Sequence, residues 1–329
     1  MLLIWIFIFL VSLVILVKGA DWLLKSAEKI GLALGISPFI VGVTIVGLGT
    51  SFPELISAMM AVFKGATEIV AANAVGSNIA NILLVVGVAA VIGQRLIVTK
   101  SLIDLDLPLL AISTVLFLGI AWDQKITLFE SIMLLAAYAV YLGYTFLHKD
   151  EDSEEIYEIL PSRPIRRKLK SAKEKEIKKP KVSLKDIVML LVGVVALFFG
   201  AKYLIDSVIE LSIILNVGAG VISLAAVALG TSLPELLVSA KAALQKKSEV
   251  ALGNIFGSNV FNLLVVVGLP GLIRTLEVDQ ATFALGLPIL LVATFLFVIS
   301  GISRKIHIWE GAMYLLVYVF FIGKLFGII

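Results

Sequence analysis

Long apolar segments recur along the whole chain, and they restrict the folds open to it. The 329-residue chain is 60% hydrophobic and only 16% charged, and no soluble domain of this length could cover so much apolar surface. Segments of about 20 apolar residues can cross a bilayer as helices. The sequence therefore predicts an all-α integral membrane protein with ten transmembrane helices. The predicted spans lie near 2–25, 36–62, 69–92, 104–122, 126–147, 187–210, 217–243, 250–273, 278–300 and 306–327.

The two halves of the chain repeat each other. Adding 181 to a residue number gives its partner from Gly19 to Gly87, and after the loss of one residue the offset becomes 180. Each half has an odd number of spans, so the second half must enter the membrane from the opposite side. This pattern predicts two inverted five-helix repeats, with a site between them at the midplane. The expected divisions are a first repeat at 1–147, a charged loop at 148–185 and a second repeat at 186–329.

Basic residues indicate how the chain is oriented. The loop at 148–185 holds twelve of the 27 lysines and arginines, and a cytoplasmic position for it places 22 of the 27 inside. This distribution follows the positive-inside rule. We expect a multi-pass protein of the cell membrane with both termini outside and the central loop in the cytoplasm. The loop itself either contacts anionic lipid headgroups or serves as a solvated tether between the halves.

A glutamate follows a proline at the same place in both halves. Residues 49–54 read Gly-Thr-Ser-Phe-Pro-Glu, and residues 230–235 read Gly-Thr-Ser-Leu-Pro-Glu. A charge at the bilayer centre costs about 2.5–3.5 kcal/mol. A cost repeated at matching positions favours a shared ion site at Glu54 and Glu235 over two buried, protonated structural carboxylates.

The prolines in these motifs predict a break in each helix. Proline has no amide hydrogen, so the carbonyl one turn earlier loses its helical partner. Carbonyl oxygens from Gly47 to Thr50 and from Ala228 to Thr231 are then free to face a cavity. The hydroxyl groups of four residues add further oxygens. These residues are Thr50, Ser51, Thr231 and Ser232.

The third span of each half carries a second set of polar residues. Ser77 and Asn81 are four residues apart, so they share a helix face, and Ser258 and Asn262 repeat the pattern. We expect these four side chains to contact ions. Asn73 and Asn254 continue the stripe. Their amides either contact ions or form interhelical hydrogen bonds.

All these candidate ligands are oxygens, which suit hard cations such as Ca²⁺ and Na⁺. Two glutamates balance the charge of one Ca²⁺. The chain has no cysteine and only two histidines, so we expect neither a thiolate nor a histidine metal centre. No cofactor is expected beyond the transported ions.

Paired Gly-Thr-Ser-x-Pro-Glu motifs, each followed by Gly-Ser-Asn-x-x-Asn, resemble the calcium/cation antiporter superfamily, and most of all its prokaryotic sodium/calcium exchangers. The resemblance covers all ten predicted spans. It implies Ca²⁺ binding by Glu54 and Glu235 with the backbone carbonyls of Thr50 and Thr231. It also implies sodium sites at Gly47, Ser51 and Ser77 on one side, at Ala228, Ser232 and Ser258 on the other, and a middle position at Asn81 and Asn262. Some relatives carry an acid where Asn262 stands.

The resulting prediction is a sodium/calcium antiporter that works by alternating access. A proton/calcium antiporter is the alternative, and a cation channel is a further one, although a channel filter usually needs like sites from several subunits. The sequence shows no nucleophile with a base partner and no phosphate-binding loop, so we expect no enzyme. The expected partners are Ca²⁺, Na⁺ and the lipid bilayer, with no nucleic acid and a monomeric chain.

Overall fold

The fold is helical. The computed structural model describes residues 1–34, 49–98, 106–159 and 182–329. Within these ranges the regular structure consists of helices and four strands of two or three residues. Six of the described helices are long and apolar enough to cross a membrane, and a bent helix pair gives a seventh span if it counts as one. The prediction of a helical membrane protein is confirmed.

The elements follow the chain in two series. The first series is α1 (Leu2–Ala33), a 3₁₀ turn (Gly49–Ser51), α2 (Phe52–Lys64), α3 (Glu68–Gly93), β1 (Arg95–Ile97), α4 (Leu107–Ile120), β2 (Lys125–Ile126) and α5 (Leu128–Ile159). The second series is α6 (Leu184–Leu215), α7 (Ala219–Thr231), α8 (Leu233–Leu244), α9 (Ser248–Phe261, continued by a π-helical segment Asn262–Val266 and a last turn Gly268–Gly271), β3 (Leu276–Glu277), α10 (Thr282–Ile302), β4 (Lys305–His307) and α11 (Ile308–Leu325).

Helical structure extends into the region predicted as a loop. α5 continues to Ile159, although the apolar segment was predicted to end at 147, and α6 begins at Leu184. Hydropathy marks where apolar residues stop, whereas a helix can continue through the glutamates and lysines that follow, because these residues are good helix formers. Residues 160–181 of the predicted loop lie outside the described residues.

In both halves a helix begins beside the motif proline. In the second half, α7 and α8 meet at Ser232 with a bend of 43°. In the first half, a 3₁₀ turn runs directly into α2, with Pro53 in its first turn. The part of the first break that precedes Gly49, including Gly47, lies outside the described residues. Each motif glutamate therefore sits in the first turn of a new helix.

α3 and α9 form the centre of the molecule. In each of them 78% of the most apolar 18-residue stretch is buried, compared with 28% in α1 and in α6. α1 and α6 instead pack against each other, antiparallel. A Cβ added at Gly19 would lie 2.8 Å from Leu197 N, and one at Gly200 would lie 2.7 Å from Leu16 N. The two backbones are thus in contact. Adding 181 to Gly19 and to Leu16 gives Gly200 and Leu197, so the two contacts are equivalent in the repeat.

Two small antiparallel sheets join the halves. β1 pairs with β4, which places Leu96 opposite Ile306, and β2 pairs with β3, which places Ile126 opposite Leu276. All four of these residues are fully buried. Adding 180 to Leu96 and to Ile126 gives Leu276 and Ile306, so the sheets are equivalent under the offset found in the sequence. They lie at opposite ends of α3, because β1 follows its last residue and β3 lies beside Glu68 in its first turn.

Candidate functional site

The two motif glutamates lie in equivalent, fully buried positions. Glu54 is in the first turn of α2, and Glu235 is in the first turn of α8. Neither side chain is exposed. Both helices start within the core, and the partial positive charge of a helix N-terminus favours a carboxylate there. Sequence and structure thus place two carboxylates inside an otherwise apolar core.

Glu235 is contacted by residues of both halves. Its Oε1 accepts hydrogen bonds from Ser51 Oγ at 3.2 Å and from Ser258 Oγ at 3.4 Å. Thr50 Oγ1 donates to Asn254 Oδ1 at 3.4 Å and lies 3.4 Å from Ser258 Oγ. The first motif is therefore joined to the carboxylate of the second motif and to α9.

Glu54 has the equivalent neighbours but not the equivalent hydrogen bonds. The side chains of Thr231 and Ser232 lie beside it. Within the described residues, neither carboxylate oxygen of Glu54 has a hydrogen-bond partner, and the hydroxyls of Ser232 and Ser77 have none either. Ser232, Ser77 and Glu54 are the repeat partners of Ser51, Ser258 and Glu235. Within the described residues the first set is therefore joined by hydrogen bonds, whereas in the equivalent set Ser232 lies beside Glu54 without a bond of comparable geometry.

Asn81 and Asn262 lie in the same central helices as the serines. Both are fully buried, and none of the four amide atoms has a hydrogen-bond partner among the described residues. Asn81 belongs to a π-helical segment of α3, Ala80–Val85, and Asn262 begins the equivalent segment of α9. Single π-helical turns inside α-helices are frequent at functional sites. Buried amides without a partner among the described residues are suited to bind a cation through their neutral oxygens.

The remaining predicted ligands have different positions. Thr231 is fully buried, and its hydroxyl donates to Val227 O at 3.1 Å, so its side chain is engaged within α7. Ala228 is buried in α7 and lies against Gly76 of α3. Gly47 lies outside the described residues, so its role as a ligand remains a prediction.

The described hydrogen bonds of the serines join residues of both halves. The resemblance placed Ser51 with Ser77, both from the first half, and Ser232 with Ser258, both from the second. In the structure Ser51 and Ser258 share Glu235 Oε1, and Ser232 lies beside Glu54. The contacts of Glu235 and of Glu54 therefore each combine residues of both halves.

Asn73 and Asn254 form hydrogen bonds between helices. Asn73 Nδ2 donates to Ser57 Oγ at 3.5 Å, and Asn254 Nδ2 donates to Ser239 Oγ at 3.3 Å. These bonds fix α3 to α2 and α9 to α8. Of the two roles open to these asparagines in the sequence, the structure shows the interhelical one.

Two further asparagines were not selected as site residues. Asn78 and Asn259 are fully buried, and Asn78 Nδ2 donates to Asn259 O at 2.9 Å. Both belong to the repeated Gly-Ser-Asn sequence. That repetition was the available signal, but spacing alone does not show that the two asparagines meet.

Carboxylates near the helix ends have structural roles. Glu130 Oε2 accepts a hydrogen bond from Thr127 N at 2.8 Å, and Glu310 Oε2 accepts one from His307 N at 2.7 Å. Both therefore cap the helices that they begin. Across the described residues there is also no group of three His, Cys, Asp or Glu side chains that could hold a metal ion. Cation binding at the centre would thus rely on two carboxylates, hydroxyls, amides and backbone carbonyls.

Comparisons with known proteins agree with this geometry. A family profile described as sodium/calcium exchanger protein matches residues 4–147 and 185–326. Sodium/calcium exchanger MaX1 of Methanosarcina acetivorans is 33% identical over 347 residues, which cover 98% of each chain. The solved structure of the sodium-calcium exchanger NCX_Mj has a TM-score of 0.61 and 26% identity, covering 99% of this chain and 100% of that one. Sodium/potassium/calcium exchanger 3 of Rattus norvegicus is 29% identical over 123 residues, 37% of this chain and 20% of that protein. Because the profile covers most of both halves, the chain belongs to the sodium/calcium exchanger family.

Proposed function

We propose that this protein is an antiporter that moves Ca²⁺ across the membrane at the expense of a sodium gradient. The observation that carries the proposal is the pair Glu54 and Glu235, two fully buried carboxylates from equivalent positions of the two halves. An isolated buried charge is unfavourable unless it is paired. A cation that enters between the halves provides that pairing. The family is one of ion transporters, and the expectation that the chain is not an enzyme is thereby confirmed.

The ligands at the centre suit both ions. Ca²⁺ takes six to eight oxygens at about 2.3–2.6 Å, and the two carboxylates with the carbonyls of Thr50 and Thr231 form its proposed site. Sodium would occupy the clusters around each carboxylate in place of Ca²⁺. In this proposal Ser51 and Ser258 bind sodium together with Glu235. Ser77 and Ser232 bind sodium together with Glu54. Backbone carbonyls come from Gly47 and Ala228. Asn81 and Asn262 form the neutral middle position.

The architecture proposed for transport is two inverted repeats of five helices, 1–147 and 186–329, joined through the loop at 148–185. The equivalence of the β1–β4 and β2–β3 sheets supports it, because each sheet joins the two halves and the sheets lie at opposite ends of α3. With the loop in the cytoplasm, β1 and β4 face the cytoplasm, β2 and β3 face outside, and both termini lie outside. The site then lies between the repeats, as in other inverted-repeat transporters.

The test is Ca²⁺ uptake into vesicles that contain the purified protein, with an imposed sodium gradient and a proton gradient as the comparison. We expect uptake to require sodium and to be lost in Glu54→Gln and in Glu235→Gln. Glu130→Gln removes a carboxylate that caps a helix, so it is the matched control and should retain uptake. Uptake that follows the proton gradient alone, or that persists in either motif variant, would refute the proposal.

A further inference from the structure

Asn78 and Asn259 occupy equivalent positions where the two halves meet. Their numbers differ by 181, the offset of the repeat. Each directly follows a serine of the ion site, Ser77 in α3 and Ser258 in α9. Both asparagines are fully buried. Each asparagine is therefore adjacent in the chain to a proposed ion ligand, and Ser258 bonds Glu235.

The hydrogen bond between the two asparagines runs in one direction only. Asn78 Nδ2 donates to the backbone oxygen of Asn259 at 2.9 Å. The reciprocal bond, from Asn259 Nδ2 to Asn78 O, is not formed, and both amide atoms of Asn259 are buried without a partner among the described residues. A strict twofold relation between the halves would form both bonds or neither. The halves therefore differ in conformation at this contact.

The ion site differs in the same way. Ser51 and Ser258 bond Glu235, whereas among the described residues Ser232 lies beside Glu54 without forming the equivalent bond and Ser77 has no hydrogen-bond partner. Two independent contacts thus mark the same asymmetry. In an inverted repeat, exchanging the conformations of the two halves yields the same structure facing the other side of the membrane. In the oppositely facing state, each asymmetric contact is then formed by the repeat partners of the residues that form it here.

We propose that Asn78 and Asn259 form a reciprocal hydrogen-bond switch, in which Asn78 donates to the Asn259 backbone in one facing state and Asn259 donates to the Asn78 backbone in the other. The inference rests on the alternating access of the proposed function. Each state contains one such bond, so the pair holds the serines in place without favouring either side. The two asparagines are positioning residues, since they act through the adjacent serines.

Removing one donor should therefore unbalance the two states. Asn78→Ala removes the bond of the state described here, and Asn259→Ala removes the bond of the reversed state. A buried neutral hydrogen bond of typical strength changes a two-state equilibrium by about threefold to tenfold. The two variants should shift the equilibrium by similar amounts in opposite directions. Two positions that only support packing have no reason to produce opposite shifts.

The experiment measures the half-saturating Ca²⁺ concentration from each side separately, in inside-out and right-side-out membrane vesicles containing the full chain. We expect the ratio of the two values to rise about threefold to tenfold in one variant and to fall by a similar factor in the other. The double variant should return close to the unmodified ratio. Thr114→Val is the control, because Thr114 and Thr294 share one hydroxyl contact of 3.4 Å between the halves. Its loss should leave the ratio unchanged.

The outcomes separate this inference from the proposed function. Absence of sodium-driven Ca²⁺ uptake in the unmodified protein would overturn the proposed function. Normal uptake with both single variants shifting the ratio in the same direction, or not at all, would overturn the switch alone. Asn78→Leu and Asn259→Leu keep the branched shape and the number of side-chain heavy atoms, and they give the same test where an alanine variant fails to fold. Failure of all four variants to fold would also overturn the switch, because it assigns these residues to the choice of state rather than to folding.

Discussion

Gly76 lies where α3 touches the backbone of α7, and Gly76→Ala should separate these two helices beside the ion site. A Cβ at Gly76 would overlap the carbonyl oxygen of Leu224, and it would lie 2.7 Å from Ala228 Cβ and 2.9 Å from Leu224 C. Two of these three atoms are backbone, so no side-chain rotation can relieve the overlap. The next residue along α3 is Ser77, one of the proposed ligands.

The size of the effect follows from these distances. Carbon atoms in good contact lie about 3.5–4.0 Å apart, so the Ala228 contact alone requires a separation of about 1 Å. Overpacking of this kind typically costs about 1–3 kcal/mol of stability. Ca²⁺ ligands lie within about 2.3–2.6 Å of the ion, so a displacement of about 1 Å removes any ligand on the shifted segment. We expect the folded variant to lose at least about tenfold in Ca²⁺ affinity, which corresponds to about 1.4 kcal/mol.

The assay is sodium-driven Ca²⁺ uptake into proteoliposomes over a range of Ca²⁺ concentrations, with size-exclusion chromatography to confirm a folded protein. Gly253→Ala is the matched control. It adds the same methyl group to a glycine of α9 that has no atom within 4 Å of the added Cβ, and its repeat partner is already alanine. If Gly76→Ala and Gly253→Ala had equal Ca²⁺ affinities, the claim that Ca²⁺ binding requires close contact between α3 and α7 would be refuted.

Three further predictions concern topology, ion choice and stability. Cysteines placed at Asp123 and at Ser303, equivalent exposed positions in a cysteine-free chain, should be labelled from opposite sides of the membrane, and labelling from one side would contradict the inverted repeat. Sodium-driven Ca²⁺ exchange should be unchanged when potassium is replaced by an organic cation, because Asn262 adds no charge to the site. In the same comparison, Asn262→Asp should slow exchange or make it depend on potassium. Asp186→Asn should lower the unfolding temperature without changing which ions are transported, because Asp186 completes the cap of α6 with Ser183 and pairs with Lys29 at 2.7 Å.

The local chemistry of the site could be predicted from the sequence. Proline fixes where each helix breaks, and the glutamate one residue later must then lie in the first turn of the next helix, which is where Glu54 and Glu235 are found. The stripe of Ser77 and Asn81 followed from helical spacing alone, and both are buried. These features depend on residues that are close in the chain, so a single sequence contains the necessary information.

Contacts between the halves could not be predicted in the same way. The sharing of Glu235 by Ser51 and Ser258 depends on how the repeats cross, and hydrophobic spacing does not define that crossing. The β1–β4 and β2–β3 pairs contain two or three residues per strand, too few for an alternating pattern to be recognised. The hydrogen bond from Asn78 to Asn259 also depends on the crossing. Its directionality is a property of one conformational state, which no residue pattern specifies.

The two buried carboxylates give a physical reason for coupling between the two ions. With asparagine at both middle positions, the formal charge of the site is that of Glu54 and Glu235 alone. To change its facing direction, the protein must carry both carboxylates through a conformation in which neither side provides water. That passage is unfavourable for unpaired charges, because their hydration is lost without compensation. One Ca²⁺ or several Na⁺ balance the charge of the two carboxylates. The ion-loaded protein can therefore change its facing direction, whereas the empty protein cannot. A transporter that reverses only when loaded must exchange one ion for the other, and two buried carboxylates are enough to impose this requirement.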